Sequence, residues 1–251
     1  MSLTPPRHPG TGGRQQMRRG LGRSAWLFHA FTKEQTRPEV FYGALADDSI
    51  ALLQEWIRLP GQLVLDVGAG PAEFARAFTA AGARYVPLDR DPSVPSVRRG
   101  GLVADAGCLP LADRSVDVVF SSNLLEHVVT PEAVADEMVR VVRPGGLVFL
   151  SYTNWLSPWG GHETSPWHWL GGERAAARYA RRAGHPPKNR VDDTLFRVSV
   201  AQGLRWARTC RDVEVLAARP RYLPDAARHL LLVPGLREVL TWNLLLILRR
   251  T

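Results

Sequence analysis

Cysteine is almost absent: Cys108 and Cys210 are the whole complement of a 251-residue chain. Two thiols support neither a disulfide framework nor a cysteine zinc cluster, and they fit a reducing, cytoplasmic setting. Lysine is equally scarce, since Lys33 and Lys188 are the only two among 32 basic residues. Beside the abundant Ala and Gly, that arginine bias reads as GC-rich codon usage rather than phosphate recognition. Long apolar runs are missing too. The longest, Leu230 to Leu248, is broken by Pro234, Gly235, Arg237 and Glu238, whereas a membrane helix wants about 20 uninterrupted apolar residues. No membrane span is therefore expected, and no apolar h-region of a secretory signal follows the N-terminus. Peripheral membrane contact through the Arg- and Leu-rich C-terminal region stays open.

Acid is missing from residues 1–33, which carry Arg7, Arg14, Arg18, Arg19, Arg23 and Lys33 against a net charge of +8 for the whole chain. The body that follows is nearly balanced, so the basicity belongs to the tail and no nucleic-acid partner is expected. Residues 1–23, rich in Gly, Pro and Arg, are expected to be a disordered basic tail. Residues 24–251 should form a single domain, because 45% hydrophobic and 22% charged residues is ordinary globular composition.

Short apolar runs alternate with helical stretches from residue 60 onward. Helices are expected from near Ala25, over Pro38–Leu59, after the glycine turn to about Ala80, from Pro131, over Glu173–Arg182 and over Val200–Thr209. Thr130 should cap the Pro131 helix, and Pro144-Gly145-Gly146 should stop it. Strands are expected at Leu63–Val67, Arg84–Leu88, Gly101–Ala104, Val116–Phe120 and Leu147–Leu150. Two more, Val213–Leu216 and Leu244–Leu248, suit antiparallel pairing. Such alternation predicts an α/β doubly wound, mostly parallel sheet with helices on both faces. Ligands of such sheets sit beyond the carboxyl ends of the strands.

The run VLDVGAGPAEF, residues 64–74, is a strand entering a glycine turn and a helix. Nicotinamide, flavin and S-adenosylmethionine proteins share that arrangement. Two details separate them. Dinucleotide binding wants G-x-G-x-x-G, but the third position after Gly70 is Glu73. Asp66, just before the turn, would repel a pyrophosphate and suits a ligand carrying an ammonium and a sulfonium. Asp89 ends the next strand, where a carboxylate accepts from both ribose hydroxyls, a feature that fits NAD equally. Asp105 ends the third strand, suited to an exocyclic adenine amine, with the Ala106 amide beside the ring. Asp113 and Asp117 read as turn formers before the fourth strand.

VLDVGAG, the strand-end Asp89, AD followed by LPLADRSVDVVFSSNLLEHV, and EMVRVVRPGGLVFLSY together resemble the class I S-adenosylmethionine-dependent methyltransferases, type 11 group. The resemblance covers about residues 60–152, and SYTNWLSPWGGHETSPWHWLGG resembles actinobacterial members. It implies a seven-stranded Rossmann-like sheet with an antiparallel last strand and S-adenosyl-L-methionine as cofactor. It places Asp66, Gly68, Ala69 and Gly70 at the methionine end, Asp89 and Arg90 at ribose, and Asp105 and Ala106 at adenine. Ser121, Ser122 and Asn123 would line the methionine side. The family often has Gly where this chain has Ala72, a change expected to be tolerated.

Residues 153–198 read as a lid and substrate-side insertion, in which Trp155, Trp159 and Trp167 are acceptor-contact candidates. Residues 213–249 hold the terminal strand pair. Tyr42 and Phe41 are candidates to close over the cofactor. His127, His168 and His162 are the candidate general bases, with Glu126 the neighbour of the first. No metal ligand set is evident, so no metal is expected. The reading is methyl transfer to a small-molecule acceptor, a lipid or secondary metabolite, at O or N. RNA or protein methylation and a non-catalytic cofactor-binding scaffold are the alternatives.

Overall fold

The structure is a computed structural model that describes residues 20–34, 36–70 and 72–251. Its strands are β1 (Leu63–Val67), β2 (Arg84–Asp89), β3 (Leu102–Val103), β4 (Val116–Ser122), β5 (Val142–Thr153), β6 (Val213–Pro220) and β7 (Asn243–Arg250). The helices are α1 (Leu21–Phe31), α2 (Pro38–Leu53), α3 (Ala72–Ala80), α4 (Pro131–Val141), α5 (Gly172–Ala183), α6 (Val200–Thr209) and α7 (Leu236–Leu240). The strands form one sheet in the order β3-β2-β1-β4-β5-β7-β6. Strands β1 to β5 run parallel. β7 is antiparallel to both of its neighbours, as the resemblance implied.

Two-residue alternation explains why these runs are strands buried on both sides. In β4, Val119 packs with α4 and α6, while Val118 and Phe120 face the layer of α1, α2 and α3. In β7, Leu244, Leu246 and Leu248 take the first side, and Leu245 and Ile247 the second. The second layer is centred on aromatic contacts of Phe120 with Phe149 at 4.9 Å, Phe78 at 5.1 Å and Phe74 at 5.2 Å. The chain winds outward from β1 to β3 and then crosses back to β4. This places a topological switch point, and its crevice, between β1 and β4.

Several boundaries differ from expectation for identifiable reasons. The expected disordered tail, 1–23, lies outside the described residues up to position 19, but α1 begins at Leu21 and includes Arg23. There the Arg23 guanidinium meets Asp48 of α2 through two contacts of 2.6 and 2.7 Å. Helix α2 ends at Leu53, short of Leu59, as the chain approaches Pro60. Thr130 makes no side-chain cap; Pro131 alone marks the start of α4. Pro144-Gly145-Gly146 opens β5 rather than separating it from α4, because β4 and β5 slip register between Val116↔Val142 and Val118↔Leu147. A Cβ on Gly146 would lie 2.5 Å from the Asp117 carbonyl oxygen, so the two backbones approach too closely for any other residue. Asp117 lies within β4 and accepts from the Leu63 N–H at 2.7 Å, while Asp113 pairs with Arg140 at 2.7 Å.

Candidate functional site

The ends of β1, β2 and β3 are adjacent in the sheet, so the three acids form a row along its carboxyl edge. Asp66 is buried, and Tyr85 of β2, stacked on Phe78, donates its hydroxyl to it. Burial pushes the Asp66 carboxyl up to about 7; the Tyr85 hydrogen bond opposes this and the Asp89 charge adds to it. Asp89 is half-buried and accepts the Asp91 N–H at 3.0 Å. Its remaining lone pairs can take hydroxyl donors. Asp105 is exposed and accepts the Gly107 N–H at 2.7 Å. Ala106 is half-buried and Arg90 exposed.

The glycine turn leaves β1 with Gly68 at φ +78° and Gly70 at φ +43°, the left-handed region where a Cβ is penalised. The amides of Gly68 and Ala69 donate to the Leu88 carbonyl at 2.9 and 3.1 Å. The turn is thereby held against the end of β2.

Beyond β1 the next strand in the sheet is β4. Ser121 is fully buried, and its hydroxyl donates to the Val67 carbonyl at 2.9 Å. That side chain ties β1 to β4 at the edge where the resemblance puts the methionine side. Ser122 accepts from Arg221 at 2.7 Å, and Asn123 accepts from Asn243 at 2.7 Å. Arg221 is 1% exposed and also donates to Ser49 and Ser151, each at 2.6 Å. The sequence offered no signal for Arg221, Tyr85 or Asn243, since an isolated Arg or Tyr is usually at the surface or in ordinary packing.

The aromatic segment follows β5 directly. Trp159 packs edge-on to Phe31 of α1 at 4.9 Å and to Trp242 at 6.1 Å, and it is 37% exposed. Trp167 is 42% exposed beneath Arg178 at 4.0 Å. Trp155 is half-buried, with His168 against it at 4.9 Å. Tyr42 of α2 is half-buried and donates to Glu34 at 3.3 Å; burial raises its phenol, and the Glu34 charge adds to this.

The three histidines separate by environment. His168 is 1% exposed, and its Nε2 lies 2.9 Å from the Trp155 carbonyl oxygen. It braces the segment from within. His127 and His162 instead face each other with ring centroids 5.1 Å apart. His127 Nδ1 is 2.6 Å from the Thr194 carbonyl oxygen, which makes that nitrogen the donor of the contact. Burial lowers the His162 imidazole to about 3, with smaller contributions from His127 and His168. Glu126 is buried beside them, and burial raises its carboxyl. One ligand atom from each of Glu126, His127 and His162 lies within 4.8 Å of the others. Separation along the chain hid this group, since His162 arrives from the far side of β5.

The donor set along the carboxyl edge suits S-adenosylmethionine: an acid before a left-handed glycine turn, then one acid at the end of each neighbouring strand. It suits a pyrophosphate poorly, because Glu73 opens α3 where a third glycine would stand.

Comparisons agree. Residues 65–150 match the family described as a methyltransferase domain. A Mycobacteroides abscessus protein named an uncharacterized methyltransferase is 50% identical over 91% of this chain and 94% of its own length. A Mycolicibacterium gilvum protein of the same description is 51% identical over 92% and 95%. Among solved structures, an S-adenosylmethionine-dependent methyltransferase from Mesorhizobium loti superposes with TM-score 0.53 at 18% identity, over 82% of this chain and 98% of that one. A Haloferax volcanii methyltransferase, solved with its activator Trm112, gives TM-score 0.55 at 18% identity over 90% and 96%. At such identity the last two speak for the fold. With half of its residues shared with full-length relatives and the cofactor edge intact, the chain belongs to the S-adenosylmethionine-dependent methyltransferases.

Proposed function

We propose that the acceptor is a small molecule with an apolar or aromatic part, methylated at O or N. The observation that carries this reading is the tryptophan segment after β5. Trp159, Trp167 and Trp169 stay between 37% and 50% exposed, on a segment that leaves β5 where Thr153 N–H donates to Glu126 at 2.9 Å. Exposed indoles on a folded segment offer flat, low-entropy contact area to an apolar ligand. The nearly balanced charge of the body disfavours a polyanionic acceptor.

The bound cofactor supplies an electrophilic sulfonium methyl. Asp66 and the 68–70 turn would hold its methionine end, Asp89 the ribose hydroxyls, and Asp105 with Ala106 the adenine. In the ion-free chain His127, with Nδ1 fixed by the Thr194 carbonyl, would be the base for an acceptor hydroxyl. Alignment of donor and acceptor contributes about 7–11 kcal/mol in such reactions, and a base adds about 10²–10⁴-fold. Among the described residues no helix is long and apolar enough to cross a membrane, so an apolar acceptor would be met in solution or at a membrane surface.

Incubating the chain with methyl-labelled S-adenosylmethionine and an actinobacterial extract, then separating small molecules, RNA and protein, tests the acceptor class. Label in the organic-soluble small-molecule fraction is the expected result. Label confined to RNA or protein would overturn it.

A further inference from the structure

We propose that Glu126, His127 and His162 form a binding site for a divalent transition cation of the zinc class, joining the tryptophan segment to the exit of β4. Two of the three side chains present atoms that are otherwise unexplained. Glu126 Oε1 accepts the Thr153 N–H at 2.9 Å, while Oε2 is buried with no partner. His162 Nε2 is likewise buried and unpartnered. A buried polar atom left without a partner costs about 1–3 kcal/mol, and Glu126 and His162 each carry one. The third side chain is oriented as metal-ligating imidazoles are. His127 donates Nδ1–H to a backbone carbonyl, the contact that fixes the tautomer and turns the other nitrogen toward a metal.

One ligand atom of each side chain lies within 4.8 Å of the others, so side-chain adjustment can bring the three residues onto one ion, since zinc bonds to nitrogen and oxygen are about 2.0–2.2 Å. Two imidazoles and one carboxylate are a borderline donor set that favours zinc over magnesium or calcium. Three protein ligands leave a fourth position for water or an acceptor heteroatom, the pattern of open rather than closed zinc sites. Position along the chain adds a consequence. Glu126 and His127 follow β4, whereas His162 belongs to the tryptophan segment, so the ion would pin that segment over the carboxyl edge. His162 takes a left-handed backbone, φ 50°, to bring its ring there. Cation occupancy does not depend on the acceptor class.

The test is metal binding by the untagged full chain after chelator treatment. Zinc would be titrated calorimetrically and cobalt(II) followed by its visible d–d absorption. One equivalent of either ion is expected, with the intense bands of a four-coordinate cobalt site. His162→Asn, which suits the left-handed backbone, should weaken binding more than about 100-fold with an unchanged circular dichroism spectrum. Glu126→Gln should do the same. His185→Ala, which removes an exposed imidazole elsewhere, should leave affinity unchanged. Failure to bind cobalt or zinc, or affinity in His162→Asn equal to the parent chain, would overturn the site.

Discussion

Asp66→Asn is expected to stabilise the cofactor-free chain at pH 8 and to weaken S-adenosylmethionine binding, two effects of opposite sign from one substitution. Burial raises the folded-state carboxyl to about 7 from its ordinary 3.8. Between those values the folded chain keeps a proton that the unfolded chain has released. Stability therefore falls as pH rises from about 4 to about 7, and the full cost is carried above that window. Asparagine can still accept the Tyr85 hydroxyl but carries no charge to desolvate. At pH 8 the gain should be on the order of 2–4 kcal/mol, and the decline between pH 4 and 7 should flatten. The same carboxylate would face the cofactor's ammonium in the complex, and its loss should weaken affinity about 10–100-fold, as for a charge-assisted hydrogen bond of roughly 1.5–3 kcal/mol. Thermal melts across pH, with and without cofactor, read both effects. A variant destabilised at pH 8 that binds cofactor normally would contradict this role.

Asp48→Ala is expected to lower stability by about 3–5 kcal/mol, the usual cost of leaving one member of a buried pair without its partner. Arg23 and Asp48 have side-chain exposures of 8% and 4%, and their guanidinium–carboxylate contact is bidentate. Water cannot replace the lost carboxylate, so the Arg23 charge would be stranded between α1 and α2. For a chain of this size the melting temperature should drop on the order of 10 °C. The double variant Arg23→Met/Asp48→Leu should recover most of that loss, because apolar side chains of similar volume remove the desolvation problem. Denaturant unfolding of the single and double variants measures the coupling. Additive losses would mean the pair is solvated and structurally idle. The substitution should also loosen Trp159, since α1 supports that indole through Phe31.

Arg23 illustrates what the sequence leaves invisible. It sits in an acid-free basic run, and charge counting assigned it to the tail; only the approach of α2, 25 residues on, shows that it has a partner. The sheet was legible because period-two and short continuous apolar runs report burial on both faces, and because VLDVGAG marks one particular turn. All seven strands fell where those runs are. The row of strand-end acids was legible for the same reason, being fixed by strand position. Tertiary partners were not. Ser121 was a site candidate through the family resemblance alone, and nothing in the run VDVVFSS announced that its hydroxyl would bond the Val67 carbonyl. His168 and His162 were equivalent in sequence, both in an aromatic, Gly- and Pro-broken stretch. One folds inward onto the Trp155 carbonyl and the other reaches His127. Irregular backbone has no period from which such a difference could be read.

The central claim is that the acids ending β1 and β2, with the glycine turn between them, hold S-adenosylmethionine. Calorimetric titration of the purified chain with S-adenosylmethionine and with NAD, alongside an Asp89→Asn variant, tests it most directly. Micromolar binding of S-adenosylmethionine, weakened about 10–100-fold by Asp89→Asn and unmatched by NAD, is the predicted result. Absence of binding, or binding that Asp89→Asn leaves unchanged, would contradict it.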